Sequence, residues 1–230
     1  MKKRLVIKFI AFVMGLVGVS LLSYVFFPIL SYEMTSRPRF ASFLSPIPEN
    51  PIFAANSENM DYTQASNWFI GGVKSEGFNR SKVDYYTISI PALGIEQATV
   101  AVGGEDLSKH LIQYPGTAQP GKIGNAVIFG HSILPQFYNP KDYIAIFSTL
   151  HTIKKGSEIL VYFDGMSFKY RVEDKFEVLP TDIQILEQDM SDSFITLVTC
   201  VPPGDPRRPR RLIVRAKIVP LGEIDAASWN

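Results

Sequence analysis

Glu158–Phe163 (EILVYF), Asp164-Gly165 and Phe168–Val172 (FKYRV) are the stretch that decides the fold class. Two short runs rich in β-branched and aromatic residues flank an Asp-Gly pair. That pair tolerates the positive φ angles of a tight hairpin turn, so the stretch reads as two antiparallel strands. Similar runs occur on both sides of it. Tyr86–Ile90 (YTISI) has strand composition and is ended by Pro91. Asn125–Gly130 (NAVIFG) and Phe194–Thr199 (FITLVT) are short and almost wholly apolar, as buried strands are. Arg211–Val219 (RLIVRAKIV) is the last run, closed by Pro220. Helical spacing appears at Asp106–Tyr114 (DLSKHLIQY), with Leu107, Leu111 and Tyr114 on one side, Asp106 as the cap and Pro115 as the stop. Gly103-Gly104 marks a turn and Gly116–Gly124 a loop. Sixteen glycines and sixteen prolines supply the many turns such a chain needs. The expected class is mainly β, a small closed or nearly closed barrel with short helices. No internal repeat or low-complexity tract is visible.

A chain of 230 residues, 46% hydrophobic and 20% charged, holds one ordinary domain and an extension. A formal net charge of +1 gives no field that would draw nucleic acid, so no nucleic-acid partner is expected. The extension is at the N-terminus. Lys2, Lys3, Arg4 and Lys8 form a basic tail over residues 1–8, and Phe9–Leu30 carries no charge. That run is long enough to cross a bilayer as one helix. Its basic side marks the cytoplasmic face, which puts the remainder outside the cell. A cleaved signal peptide is the competing reading, but FFPILSYEM offers no small-residue cleavage site.

Residues 31–82 read as a stalk that holds the domain off the membrane, punctuated by Pro38, Pro46, Pro48 and Pro51. Within it, Tyr62–Phe69 (YTQASNWF) reads as a short helix or as a segment that packs on the domain, broken by Gly71-Gly72. The domain itself is expected over 83–221, with a polar tail over 222–230.

The chain has one cysteine, Cys200, and three histidines, His110, His131 and His151. A lone free cysteine is commonly a small buried hydrophobe. Here it follows the strand FITLVT, and His131 follows the strand NAVIFG. If the two strands are neighbours, thiol and imidazole converge at their carboxyl ends, as a thiol nucleophile and its base require. Arg211 opens the strand after Cys200, so a hairpin brings it back beside the thiol, where a guanidinium can hold a developing oxyanion. The other arginines of Pro206–Arg211 (PRRPRR) read as a solvated basic loop. Contact of that loop with anionic lipid is disfavoured by the stalk. His110 and His151 look structural. One cysteine and three scattered histidines offer no metal-ligand spacing. Asp174, Glu177, Asp182, Glu187 and Asp189 read as a solvated acidic loop, with calcium binding left open, and no other cofactor is expected.

Three stretches together resemble the sortase family. Thr196–Cys200 (TLVTC) resembles its cysteine signature, Gly130-His131-Ser132 its histidine motif, and Arg211–Arg215 (RLIVR) its arginine strand. Tyr114–Thr117 with Pro120-Gly121 and Gly124-Asn125 resembles the approach to that histidine, and the likeness covers about residues 83–220. The resemblance implies a closed eight-stranded sortase-type barrel behind one N-terminal transmembrane helix, anchored in the plasma membrane with the catalytic domain outside. It implies a cysteine transpeptidase that cleaves an LPxTG-like sorting motif near the C-terminus of exported proteins. Cys200 would form a thioacyl-enzyme, His131 would act as acid and then base, and Arg211 would hold the substrate and oxyanion, with Arg210 the neighbouring candidate. Thr199, Ser132 and Arg210 would assist in binding substrate. The acyl group would pass to an amine acceptor, such as a cell-wall precursor or a pilin lysine.

The family's pilus-polymerising members often carry an N-terminal lid with an Asp-Pro-aromatic motif and a second membrane segment at the C-terminus. Asp61-Tyr62 lacks the proline and only a polar tail follows Leu221, so both features are expected to be absent and an anchoring enzyme is favoured. A catalytically inert peptide-binding barrel and a thiol hydrolase that uses water are the alternatives. Specificity is expected in the loops 132–145 and 173–193.

Overall fold

The computed structural model of this chain describes residues 2–36, 41–42, 61–69 and 85–220. It opens with helix α1, Lys2–Ser31, whose uncharged run from Phe9 is long and apolar enough to cross a membrane. A π-helical turn, Tyr32–Ser36, follows.

The strands are β1 (Ala41–Ser42), β2 (Tyr85–Ile90), β3 (Ile95–Val102), β4 (Leu111–Gln113), β5 (Gly124–Phe129), β6 (Glu158–Phe163), β7 (Met166–Val178), β8 (Ser193–Val201) and β9 (Arg210–Ile218). Eight of them pair in the order β7-β6-β2-β3-β4-β5-β8-β9, and β9 pairs back onto β7. This closes the expected eight-stranded barrel and leaves no free edge among those strands. The two-residue β1 adds in parallel to β7. The hairpin that decided the class forms as read. Phe163 pairs with Met166, and Asp164 and Gly165 take φ values of 49° and 76°.

β5 and β8 run parallel, from Gly124 opposite Ser193 to Phe129 opposite Val198. Every residue of both strands is buried. Their apolar continuity in the sequence has that cause, because each strand is covered on both faces. Ala126, Ile128, Ile195 and Leu197 face the barrel interior with Ile88, Ile90, Phe147 and Val214. Val127, Phe129, Val198 and Cys200 alternate to the outer face, where Ala65, Trp68, Phe69 and Ile213 join them.

Two expectations need correcting, and one strand is not anticipated. Asp106–Tyr114 is not a helix. Asp106 Oδ1 accepts the Ser108 N–H at 3.0 Å in a turn, and Leu111–Gln113 then form β4 between β3 and β5. Leu107, Leu111 and Tyr114 are buried as their spacing required, but ladder pairing on both sides overrides the helical tendency. The strand β3 is absent from the sequence reading, because exposed Glu96 and Gln97 break its pattern and Gln97 sits at φ 48°. The stalk expected over 31–82 does not stand away from the domain where it is described. Tyr32 enters the main core and donates its hydroxyl to Glu177 at 2.6 Å. Glu33 pairs with Arg210, and residues 61–69 lie on the barrel. Gly71-Gly72 and the expected tail 222–230 fall outside the described residues.

Candidate active site

The parallel pairing of β5 and β8 brings His131 and Cys200 together, as the end of each strand leads into one of them. The junction is tied twice. Thr199 Oγ1 donates to the Gly130 carbonyl at 2.8 Å, and Ser132 Oγ donates to the Cys200 carbonyl at 2.6 Å. Gly130 has a steric reason to be glycine. A Cβ there would lie 2.4 Å from the Phe147 ring and 2.6 Å from Leu111. Across the next ladder, Cys200 pairs directly with Arg211, so their side chains project on the same face. Thiol, imidazole and guanidinium thus meet on the outer face of the barrel, and all three are buried: Cys200 is 3%, His131 5% and Arg211 0% exposed.

What buries them is the segment 61–69, the packed alternative of the sequence reading. Its 3-10 turn, Ala65–Trp68, is pinned to the turn before β4. Ala65 N–H donates to Glu105 O at 3.1 Å, and Leu107 N–H donates to Thr63 O at 3.0 Å. Trp68 is fully buried, stacks on Phe129 with ring centres 5.3 Å apart, and leans on His131 at 5.7 Å. The Arg211 guanidinium lies 5.6 Å from the Trp68 ring and donates from Nε to the Trp68 carbonyl at 3.2 Å. Arg208 covers the Tyr62 ring at 4.7 Å. A segment that lacks the Asp-Pro-aromatic motif therefore covers the site all the same, and the expected absence of a lid is corrected.

Two buried polar atoms in this site have no partner, His131 Nε2 and Arg211 Nη2. Arg211 donates otherwise to main-chain oxygens, of Trp68, Arg208 and Arg210. A buried cation served by carbonyls alone, with one nitrogen idle, is costly unless something else uses it. Burial pushes His131 down to about 4, and the Arg208 cation acts in the same direction against a weaker pull from Asp61 and Asp106. The covered imidazole is thus neutral near pH 7.

The remaining site candidates are already engaged. Thr199 and Ser132 spend their hydroxyls on the two ties described above. Arg210 points into a carboxylate pair, Glu177 at 2.6 Å and Glu33, away from the thiol. Arg211, in register with Cys200, is the better placed of the two arginines. His110 packs between the rings of Tyr85 and Tyr143, and His151 lies edge-on to Tyr32. The acidic residues of 174–189 scatter. Glu177 holds Arg210 and Tyr32, Asp182 accepts the Leu179 N–H, and Asp189 pairs with Arg215. Among the described residues no three His, Cys, Asp or Glu side chains gather as a metal site.

The sequence reading named neither Trp68 nor Arg208 as part of the site. The aromatic run Tyr62–Phe69 signalled packing, but nothing in it pointed to what it packs on.

The fold is thus a closed barrel that carries cysteine, histidine and arginine on one covered face. The sortase-domain family model matches residues 88–219, and the chain belongs to the sortase family. Sortase A of Bacillus anthracis is 27% identical over 135 residues, which are 57% of this chain and 58% of that protein. Sortase A of Streptococcus agalactiae is 29% identical over 82 residues, 36% of this chain and 32% of that protein. The chain thus spans less than two thirds of the length of either relative. Among solved structures, a lid mutant of sortase A from Corynebacterium diphtheriae superposes with a TM-score of 0.53 at 29% identity, covering 65% of this chain and 77% of that one. A sortase D5 transpeptidase from Clostridium perfringens gives 0.51 at 25%, covering 63% and 92%.

Proposed function

We propose that this protein is a membrane-anchored cysteine transpeptidase that cleaves an LPxTG-like C-terminal sorting motif of exported proteins and passes the acyl group to an amine. One observation carries the reading: a buried thiol lies between two groups whose remaining polar atoms, His131 Nε2 and Arg211 Nη2, have no partner in the protein. A scissile peptide under attack supplies a partner for each: its oxyanion accepts from Arg211 Nη2, and its leaving nitrogen takes the proton that His131 Nε2 has received from the thiol. The Cys200 sulfur bonds to the carbonyl carbon of the scissile residue, its proton going to His131. Arg211 Nη2–H donates to the oxyanion of the tetrahedral intermediate. The C–N bond breaks, and His131 returns the proton to the leaving amine. The incoming amine attacks the thioester, loses a proton to His131, and the sulfur leaves. The steps need no metal or cofactor.

The substrate groove is proposed to run along β8. A cavity of about 320 Å³ opens beside Thr196, four residues before Cys200, and is lined by Asn125, Ile185, Gln188 and Arg215. Four extended residues span about 13 Å, which suits a short motif running from that cavity to the thiol. The lining from 184–189 agrees with specificity held in the loop 173–193. Orientation follows from the basic tail, with the N-terminus in the cytoplasm and the barrel outside. The acceptor would be a cell-wall precursor amine or a pilin lysine.

The test is mass spectrometry of the protein mixed with an LPxTG-type peptide, with and without an amine such as triglycine. A thioacyl adduct on Cys200, absent in Cys200→Ala and consumed by the amine, is the expected result. Peptide binding with no adduct marks an inert barrel, and an adduct discharged at the same rate without amine marks a hydrolase.

A further inference from the structure

Pro28 lies inside α1 and has no N–H to donate to the carbonyl of Tyr24, one turn earlier. That carbonyl is bonded instead by the barrel. Gln136 Nε2 donates to it at 3.2 Å. Gln136 belongs to the loop that leaves His131. The loop is held firmly, with Ile133 N–H on Ser148 Oγ at 2.9 Å, a 3-10 turn over Pro135–Phe137, and the Tyr138 hydroxyl on the Leu93 carbonyl. Leu134 presses on Gly204, where even a Cβ would meet the Leu134 backbone at 2.9 Å. The loop carries Ile133, Leu134 and Phe137, and Phe137 is 55% exposed.

The height of this contact can be placed. Tyr24 is six residues before the end of the uncharged run Phe9–Leu30, or about 9 Å along the helix axis at about 1.5 Å per residue. If Gln136 stood in bulk water, only Phe9–Tyr24 would remain for the bilayer. That is about 24 Å of helix against a hydrocarbon core of about 30 Å. The full run gives about 33 Å and fits, and then Gln136 and its neighbours lie at the level of the headgroups or just beneath them. There, an unpaired main-chain carbonyl is expensive, so a side-chain donor beside a transmembrane proline has a physical purpose. An exposed phenylalanine next to that donor suits the same depth. The helix end is clamped a second time through Glu33 and Arg210 and through Tyr32 and Glu177, which fixes the barrel beside its anchor.

We propose that the Ile133–Phe137 loop is an interfacial anchor, seated among the lipid headgroups beside α1 with Phe137 inserted towards the acyl chains. This rests on α1 spanning the membrane. The expected stalk would exclude such a contact, and the bonds of Tyr32 and Glu33 to the barrel remove that objection.

The test is site-directed spin labelling of the full chain in phospholipid nanodiscs, in a Cys200→Ser background. Labels are placed by Phe137→Cys, by Tyr162→Cys on another outer face of the barrel, and by Leu21→Cys in α1. Collision with oxygen and with a water-soluble nickel chelate reads the depth of each. The label at 137 is expected to meet nickel several-fold less often than the label at 162, approaching the label at 21. Equal nickel access at 137 and 162, with 21 shielded, overturns the loop as an anchor. Nickel access at 21 overturns the membrane placement of α1, and the proposal with it.

Discussion

The barrel interior and the outer cluster around Cys200 are both dry, but they are dry for different reasons. Ile88, Ile90, Ile128, Leu197 and Val214 are enclosed by strands that close on themselves, and nothing needs to move for them to stay buried. Cys200, Val198 and Phe129 are enclosed because Trp68 and its neighbours lie over them. The interior group is apolar apart from its tyrosine hydroxyls, of which that of Tyr86 is buried without a partner. The outer one includes His131 and Arg211, with idle polar atoms on both. A buried polar atom without a partner is costly, and an idle guanidinium nitrogen more so than a hydroxyl. On the function proposed above, their presence beside a thiol makes the outer cluster a covered site, and the cover leaves before a peptide enters.

Several measurements would break or sharpen that contrast. The largest effect on stability is expected from Ile88→Ala, at about 2–5 kcal/mol in denaturant unfolding for a truncated core side chain. Alkylation of Cys200 under native conditions should stay unchanged. Faster labelling there would mean that the two regions open together. Trp68→Ala should do the reverse. Removing about 3 kcal/mol of burial from the cover raises its open population ~100-fold, read as the rate of Cys200 alkylation, with a smaller change in the global midpoint. An unchanged rate would show that Trp68 is not what limits access. Gly130→Ala should cost about 1–3 kcal/mol through overpacking on Phe147, and it should slow acyl transfer by displacing His131. Normal transfer in that variant would contradict the geometry given for His131.

The smallest effect is a pH slope. His131 and His151 are both held near 4 in the folded protein, chiefly by burial, against an ordinary value of 6.5. The unfolded chain therefore binds more protons between these values. Their contribution is fully present above 6.5 and is lost as pH falls towards 4. His151→Gln should flatten that slope in urea titrations at pH 7 and pH 5. An identical slope would show that His151 does not contribute.

The barrel was largely legible because β-strand signals are local. EILVYF-DG reads as a hairpin from adjacent residues alone, and the all-apolar FITLVT reads as a strand covered on both sides. His131, Cys200 and Arg211 were legible because each sits next to a strand end, where pairing places it. The cover was half legible. Tyr62, Trp68 and Phe69 announce packing, yet their partners at Glu105, Phe129 and Arg211 are far off in the chain and leave no periodic trace. Asp106–Tyr114 misled for a related reason. Its apolar spacing does describe burial, but β3 and β5, both remote, decide that the backbone is extended there. The place of Arg210 was also hidden, since its carboxylates, Glu177 and Glu33, lie 33 and 177 residues away in the chain.

The parallel pairing of β5 with β8 has a consequence in time. Parallel neighbours cannot be joined by a tight turn, and here Thr199 finds Gly130 across 69 residues. Pairing at that separation carries a large loop-closure cost, so it forms late. Until it does, Cys200 has Arg211 beside it through the local β8–β9 pairing but no imidazole at hand. Acyl transfer as proposed above therefore waits on a closure made across 69 residues, and a copy that lacks it carries the cysteine without its base.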